Sequence, residues 1–288
     1  MHLGNIYAAL MSWLSVRKRG GSWILRIEDL DRQRCRREYA DVLMDDLRWL
    51  GLDWDGEVPY QSKRDAVYEQ YFSALEKQGL VYDCFCRRAD LLASSAPHAS
   101  DGTPVYAGTC RNLTAAERER LGATRAPAKR IRVPDCESVF FDGHYGKQCC
   151  NLLYNCGDFI LRRADGNFSY QLAVVIDDAL MGVTEVVRGR DLLSSTHQQI
   201  FLYGALGFPP PKFLHLPLLV NAEGKRLSKR DRDIDMGLLR THFSAEQIVG
   251  KIMHLSGFTE HEEPLSLTEA VAVFDWEKMP VSDISACY

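Results

Sequence analysis

The chain has 288 residues, enough for one large domain or two modest ones with an ample core. A formal net charge of −4 excludes a generally basic nucleic-acid binder, although a local basic patch would still serve an RNA partner. There is no apolar run of about 18 residues and no signal-peptide pattern at Met1, so no membrane is expected. Nine cysteines, an odd number, read as thiols or metal ligands in a reducing cytoplasm rather than as a disulfide framework.

His2-Leu3-Gly4-Asn5 opens a helical pattern carried by Ile6, Ala9, Leu10, Trp13 and Leu14, which Gly20-Gly21 ends. Residues 23–27 read as a short apolar strand followed at once by Glu28-Asp29-Leu30-Asp31. Carboxylates at the carboxyl end of a strand lie where open α/β sheets bind ligands. Tyr39, Val42, Leu43, Leu47 and Leu50 mark a second helix that stops at Gly51, and a third over residues 63–78 stops at Gly79. Residues 80–111 hold Cys84, Cys86 and Cys110 around a stretch containing Ser, Ala, Pro and Gly, and read as an irregular insertion. Residues 129–133, 139–141 and 158–163 predict short strands forming an antiparallel cap on the sheet. Residues 170–176 are apolar and β-branched at their end, with Asp177-Asp178 following; residues 183–187 are another strand, followed by Arg188-Gly189-Arg190-Asp191. Cys149, Cys150 and Cys156 read as packing residues.

A helix over residues 195–206 ends at Gly207, and three prolines from Pro209 prevent its continuation. Residues 213–220 predict a buried strand, and the loop Gly224-Lys225-Arg226-Leu227-Ser228-Lys229-Arg230 follows. Helical patterns return at 236–242, 245–255 and 267–274. Strand–helix alternation in both halves implies a parallel sheet interrupted by the middle insertion.

Two lysines flanking a serine in a glycine-led loop suit a phosphate chain, because they supply point charges as charge develops. Taken alone, such a loop is most often solvated surface. At the other end, Gly4 beside a helix N-terminus permits close backbone approach, and the amides with the dipole favour phosphate. Together the two stretches resemble the paired nucleotide motifs of class I aminoacyl-tRNA synthetases, of the forms His-x-Gly-His and Lys-Met-Ser-Lys-Ser. The resemblance narrows to glutamyl-tRNA synthetases over almost the whole length. Arg26-Ile27-Glu28-Asp29, Gly157-Asp158-Phe159-Ile160, residues 170–178, Val187-Arg188-Gly189-Arg190-Asp191-Leu192-Leu193, His215-Leu216-Pro217-Leu218 and the lysine loop carry it in fixed order. The early stop after that loop resembles the short branch of the family that lacks an anticodon-binding domain.

This resemblance implies a Rossmann-like α/β catalytic domain with a zinc-bearing insertion and a short helical tail. The expected division is 1–79 and 157–230 for the two catalytic halves, 80–156 for the insertion and 231–288 for the tail. It implies ATP-dependent activation of L-glutamate without tRNA, magnesium accompanying ATP, and transfer to the queuosine of tRNA(Asp) by a cytoplasmic monomer. Glu28, Tyr170 and Arg188 match the family's glutamate-binding residues. His2, Gly4 and Lys229 match its ATP-binding residues, with His2 and Lys229 as the catalytic pair. Cys84, Cys86, Tyr106 and Cys110 match a zinc knuckle holding one ion per chain. A fragment charging the tRNA 3′ end, or a non-catalytic binding module, remain as alternatives. The family places a strand and an Arg-Phe-Ala-Pro-Ser-Pro-Ser/Thr-Gly loop before His-x-Gly, whereas Met1 directly precedes His2. The native start is therefore expected roughly 10–25 residues earlier.

Overall fold

The computed structural model describes residues 1–87, 105–221, 223–225, 227 and 235–286. Helix α1 (Leu3–Arg17) buries Leu3, Ile6, Tyr7, Leu10, Met11 and Leu14, following the predicted spacing. Helices α2 (Arg37–Trp49) and α3 (Asp65–Lys77) end before Gly51 and Gly79, both at positive φ. The remaining helices are α4 (Ala115–Gly122), α5 (Tyr170–Leu180), α6 (Thr196–Leu206), α7 (Met236–His242), α8 (Ala245–Leu255) and α9 (Leu267–Val273).

Strands β1 (Val81–Cys84), β2 (Ala128–Ile131) and β5 (Ile160–Arg162) form a small antiparallel sheet. The main sheet is mixed, with order β4-β3-β7-β6, from β3 (Glu137–Asp142), β4 (Gly146–Asn151), β6 (Glu185–Gly189) and β7 (Lys212–Leu216). β6 and β7 run parallel in register from Glu185↔Lys212 to Gly189↔Leu216, and β3 joins β7 at Asp142↔Phe213. A third pair, β8 (Leu219–Val220) and β9 (Ile284–Ser285), ties the tail to the lysine-loop strand.

Five expectations change. Residues 170–180 are helix, not strand. Ser169 caps α5 by accepting from the Leu172 amide, and Leu172 to Ile176 are all buried, so packing on nearly every side overrides the β preference of Val174-Val175-Ile176. Residues 23–27 form no strand and join Tyr60 only through the single parallel bridge at Ile27. Residues 137–142 leave the predicted cap and join the main sheet, while residues 213–220 split around Pro217 into β7 and β8. Cys149 is exposed on β4 rather than packed.

One core joins α1 to the tail, with Leu10 and Leu14 sharing a cluster with Ile252, Met253 and Phe274. A second joins α3, α5 and α6 to the sheet through Tyr68, Phe72, Val175 and Tyr203. Among the described residues no helix is long and apolar enough to cross a membrane.

Candidate active site

Arg188 lies at the carboxyl end of β6, and two cavities meet around it. The larger, about 580 Å³, is lined by Arg26, Glu28, Tyr170, Asp178 and Arg188 among others. The second, about 370 Å³, is lined by His2, Gly4, Asn5, Arg188, Gly189, Asp191 and Leu227. Arg188 belongs to both, so the three residues matched to glutamate binding share one cavity, and the first-motif residues border the next.

The Arg188 guanidinium is held from behind. Its Nε donates to His215 Nε2 at 3.1 Å, and Nη2 donates to Thr196 Oγ1 at 2.8 Å. Because His215 Nε2 accepts, the imidazole proton sits on Nδ1, 2.6 Å from Asp142 Oδ2. Burial keeps the His215 pKa below its usual value, so the ring is a neutral relay. Burial would raise the Asp142 carboxyl, but hydrogen bonds from His215 and the Tyr145 and His144 amides outweigh it and lower the pKa. No hydrogen bond engages Arg188 Nη1 among the described residues, which leaves one donor edge for a ligand. Sequence reasoning missed Asp142. His215 was visible only as part of a matching segment.

Glu28 faces the same cavity. Its Oε1 accepts from Arg26 Nη2 at 3.0 Å, and Arg26 Nη1 binds Asp178 at 2.7 Å. Partial desolvation by the cavity walls raises the Glu28 pKa; Arg26 opposes this, and the nearby Asp178 and Asp177 reinforce it. Burial also raises the Tyr170 phenol, with Glu28 adding to it. The hydroxyl of Tyr170 has no hydrogen-bond partner among the described residues. Asp177 is not a ligand group: fully buried on α5, it accepts from Gln61, Arg64 and Tyr68 at 2.7 to 2.9 Å.

His2 is the N-cap position of α1, and Leu3 is a core residue. A Cβ on Gly4 would come within 3.2 Å of the His2 ring, so glycine here makes room for that ring. In the lysine loop, Asn221 Oδ1 accepts from the Glu223 and Lys225 amides, and Leu227 is buried with its amide on Leu219. Lys225 is exposed and pairs with Glu223 at 2.7 Å. Arg226, Ser228 and Lys229 lie outside the described residues.

The insertion holds a separate cluster. The sulfurs of Cys84, Cys86 and Cys110 lie within 4.8 Å of one another. The Tyr106 hydroxyl is 3.5 Å from Cys84 Sγ, 3.7 Å from Cys86 Sγ and accepts from the Cys110 amide at 2.7 Å. Arg130 donates to Cys84 at 3.2 Å and lies 3.9 Å from the centre of the Tyr106 ring. Burial works to raise the Cys84 thiol, but Tyr106 and Arg130 outweigh it and lower its pKa; burial pushes Cys86 up to about 12. Three converging sulfurs beside a balancing cation can hold a metal ion. Gly157, at φ +65°, lets the next strand pass beside them: a Cβ there would meet Val105 Cγ1 at 2.9 Å and the Tyr106 backbone at 3.0 Å.

A parallel strand pair whose carboxyl end presents a buttressed arginine, beside a helix N-terminus and a glycine-led loop, fits a class I synthetase-type catalytic domain. The profile described as "tRNA synthetases class I (E and Q), catalytic domain" matches residues 1–287, and the chain belongs to that family. It is 47% identical to the glutamyl-Q tRNA(Asp) synthetase of Symbiobacterium thermophilum, over 97% of this chain and 90% of that one. It is 44% identical to the protein of the same name from Neisseria meningitidis serogroup C, over 97% and 93%. Among solved structures it resembles a glutamate tRNA ligase from Elizabethkingia meningosepticum in complex with its amino acid, with TM-score 0.80 and 27% identity. The glutamate-tRNA synthetase of Elizabethkingia anophelis gives 0.82 and 28%. The match covers 99% of this chain in both, but only 64% and 65% of those longer chains.

Proposed function

We propose that the protein activates L-glutamate with ATP and transfers it to the queuosine of tRNA(Asp) in the cytoplasm. The observation carrying this reading is the convergence of Glu28, Tyr170 and Arg188 on one cavity that meets, at Arg188, a second cavity lined by His2, Gly4 and Leu227. Glu28 holds the substrate ammonium, the Nη1 edge of Arg188 takes a substrate carboxylate, and the Tyr170 hydroxyl fixes orientation. The glutamate α-carboxylate oxygen attacks the ATP α-phosphorus and pyrophosphate leaves. A hydroxyl of the queuosine cyclopentenediol then attacks the acyl carbon and releases AMP. His2, the α1 N-terminus and Lys229 stabilise the phosphate charge that develops, with magnesium accompanying the nucleotide. One zinc ion per chain, held by Cys84, Cys86, Cys110 and Tyr106, serves the insertion structurally. The working protein is a monomer, with residues 1–79 and 157–230 as the catalytic halves, 80–156 as the insertion and 231–288 as the tail.

The test is glutamate-dependent pyrophosphate exchange without tRNA, followed by labelled-glutamate transfer to queuosine-containing tRNA(Asp) and to tRNA(Glu). Exchange without tRNA and label confined to periodate-sensitive queuosine support the reading; label on the 3′ end of tRNA(Glu) overturns it. Lys229→Ala is expected to slow exchange about 100-fold or more with little change in glutamate affinity.

A further inference from the structure

A basic cluster at the start of α2 takes no part in the chemistry above. Residues 32–37 read Arg-Gln-Arg-Cys-Arg-Arg on a chain whose net charge is −4. Arg32 pairs with Asp65, and Arg34 lies 3.9 Å from Asp31. Arg36, Arg37 and the facing Lys63 are exposed and have no carboxylate within ion-pair distance among the described residues. By contrast Arg17, Arg26, Arg64, Arg162 and Arg190 each meet an acid.

These cations surround a cleft of about 350 Å³. Arg32, Arg36, Arg37 and Lys63 line it against one carboxylate, Asp29, whose two oxygens are taken by the Ser62 amide and hydroxyl at 2.8 and 2.6 Å. Arg37 and Lys63 both lean on Tyr60, 5.8 and 5.4 Å from its ring centre. Gathering like charges around one ring costs repulsion, which an anion in the cleft relieves. The N-cap residue of α2, Arg36, makes no side-chain bond to the first amides, so the positive helix end adds to the field; Glu38 is the one acid in that turn.

The cleft backs onto the glutamate site. Successive side chains of an extended backbone point to opposite sides. Along residues 26–29, Arg26 and Glu28 line the substrate cavity, whereas Ile27 and Asp29 line the basic cleft. We propose that this cleft binds a backbone phosphodiester of the RNA substrate, close to the nucleotide that is glutamylated; this rests on the reading of the chain as an RNA-glutamylating enzyme. RNA is the favoured occupant because the cleft lies apart from the ATP motifs, and because a net-acidic protein needs such a local patch to engage a polyanion. Arginine forks match phosphate oxygens, and the neighbouring exposed Arg34 extends the track.

The test uses the full chain carrying Arg36→Ala with Arg37→Ala, and separately Lys63→Ala. Pyrophosphate exchange without RNA is expected to stay at the wild-type rate. The Kd for fluorescein-labelled queuosine-containing tRNA(Asp), read by anisotropy, is expected to rise about 10-fold, with the salt slope falling by roughly one per cation removed. Lysine at positions 36 and 37 should restore most of that slope. Unchanged tRNA affinity and slope overturn the proposal. So does a fall in exchange, which would assign the cleft to glutamate activation, and so does a weakened response to ATP or inorganic phosphate alone. If wild type binds tRNA through these residues but transfers no glutamate, the cleft stands and the reaction assignment fails.

Discussion

Arg188 shows how surrounding residues fix a single side chain for the recognition role proposed for it. Two of its nitrogens are spent on His215 and Thr196, and the Asp142–His215 pair behind it is fully buried. The guanidinium thus meets a ligand with its rotamer already fixed, so little entropy is lost on binding. Arg188→Ala is expected to raise the KM for glutamate about 100-fold in pyrophosphate exchange, and Arg188→Lys to recover little of it because lysine has no planar fork. A lysine variant with near-wild-type KM would contradict this role. Glu28 obeys a different logic. Partial desolvation raises its carboxyl pKa in the folded state, against the pull of Arg26. The stability linked to that group is therefore present below its unfolded pKa and lost as pH rises through the folded value, so ionised Glu28 is a cost at neutral pH. Glu28→Gln is expected to melt no lower than wild type at neutral pH while binding glutamate about 10- to 100-fold more weakly. Wild-type glutamate affinity should itself weaken as pH falls through the raised Glu28 pKa. Parallel melting and calorimetry check both, and a Gln variant that binds normally would remove Glu28 from the site. The grouping of Glu28, Tyr170 and Arg188 around one cavity was legible because each sits in a contiguous matching segment. Asp142 was not, because its meaning comes from a partner 73 residues away.

At the scale of elements, short-range patterns carried the helices, and failed where a partner elsewhere decides the state. Residues 170–176 have the composition of a buried strand, and only burial of Leu172 to Asp178 on all sides separates them from one. β3 alternates exposed and buried residues as a cap strand would, yet its neighbours are β4 in a hairpin and β7 far along the chain. The cysteine cluster was legible through the family resemblance, and the structure brings its three sulfurs and the Tyr106 hydroxyl together. Gly157 was visible only as the first residue of a matching segment, whereas its positive φ and contact with Tyr106 are what place β5 beside the cluster. Cys110→Ser is expected to lower the bound zinc to well under half an ion per chain, measured by atomic emission. Gly157→Ala should destabilise the protein by more than ~1 kcal/mol, since it combines a positive φ with a backbone clash. Full zinc retention after replacing Cys84, Cys86 and Cys110 together would dissociate the cluster from metal binding.

Across the whole molecule, the tail helices share one hydrophobic cluster with α1. Helix α1, whose N-terminus carries His2 and Gly4, packs Leu10, Met11 and Leu14 in the same cluster as Ile248, Ile252, Met253 and Phe274. The join between α8 and the chain after it leaves no room at Gly250: a Cβ there would sit 1.8 Å from the Glu263 carbonyl oxygen and 2.8 Å from its carbon. The neighbouring strap is fixed by the Leu265 amide on the Glu246 carbonyl, so it cannot swing away without losing that bond. Gly250→Ala improves helix propensity by about 1 kcal/mol in isolation, yet here it must push backbone from backbone, and the clash wins. The variant is expected to be destabilised by roughly 1–3 kcal/mol or more, and to show a raised KM for ATP ahead of any change in glutamate affinity, because the displacement reaches α1 before β6. Gly122→Ala is the matched control, since a Cβ at the exposed end of α4 meets nothing within 4 Å. Equal melting temperatures for the two variants would show that the tail yields freely, and that α1 holds its place by the sheet contacts alone.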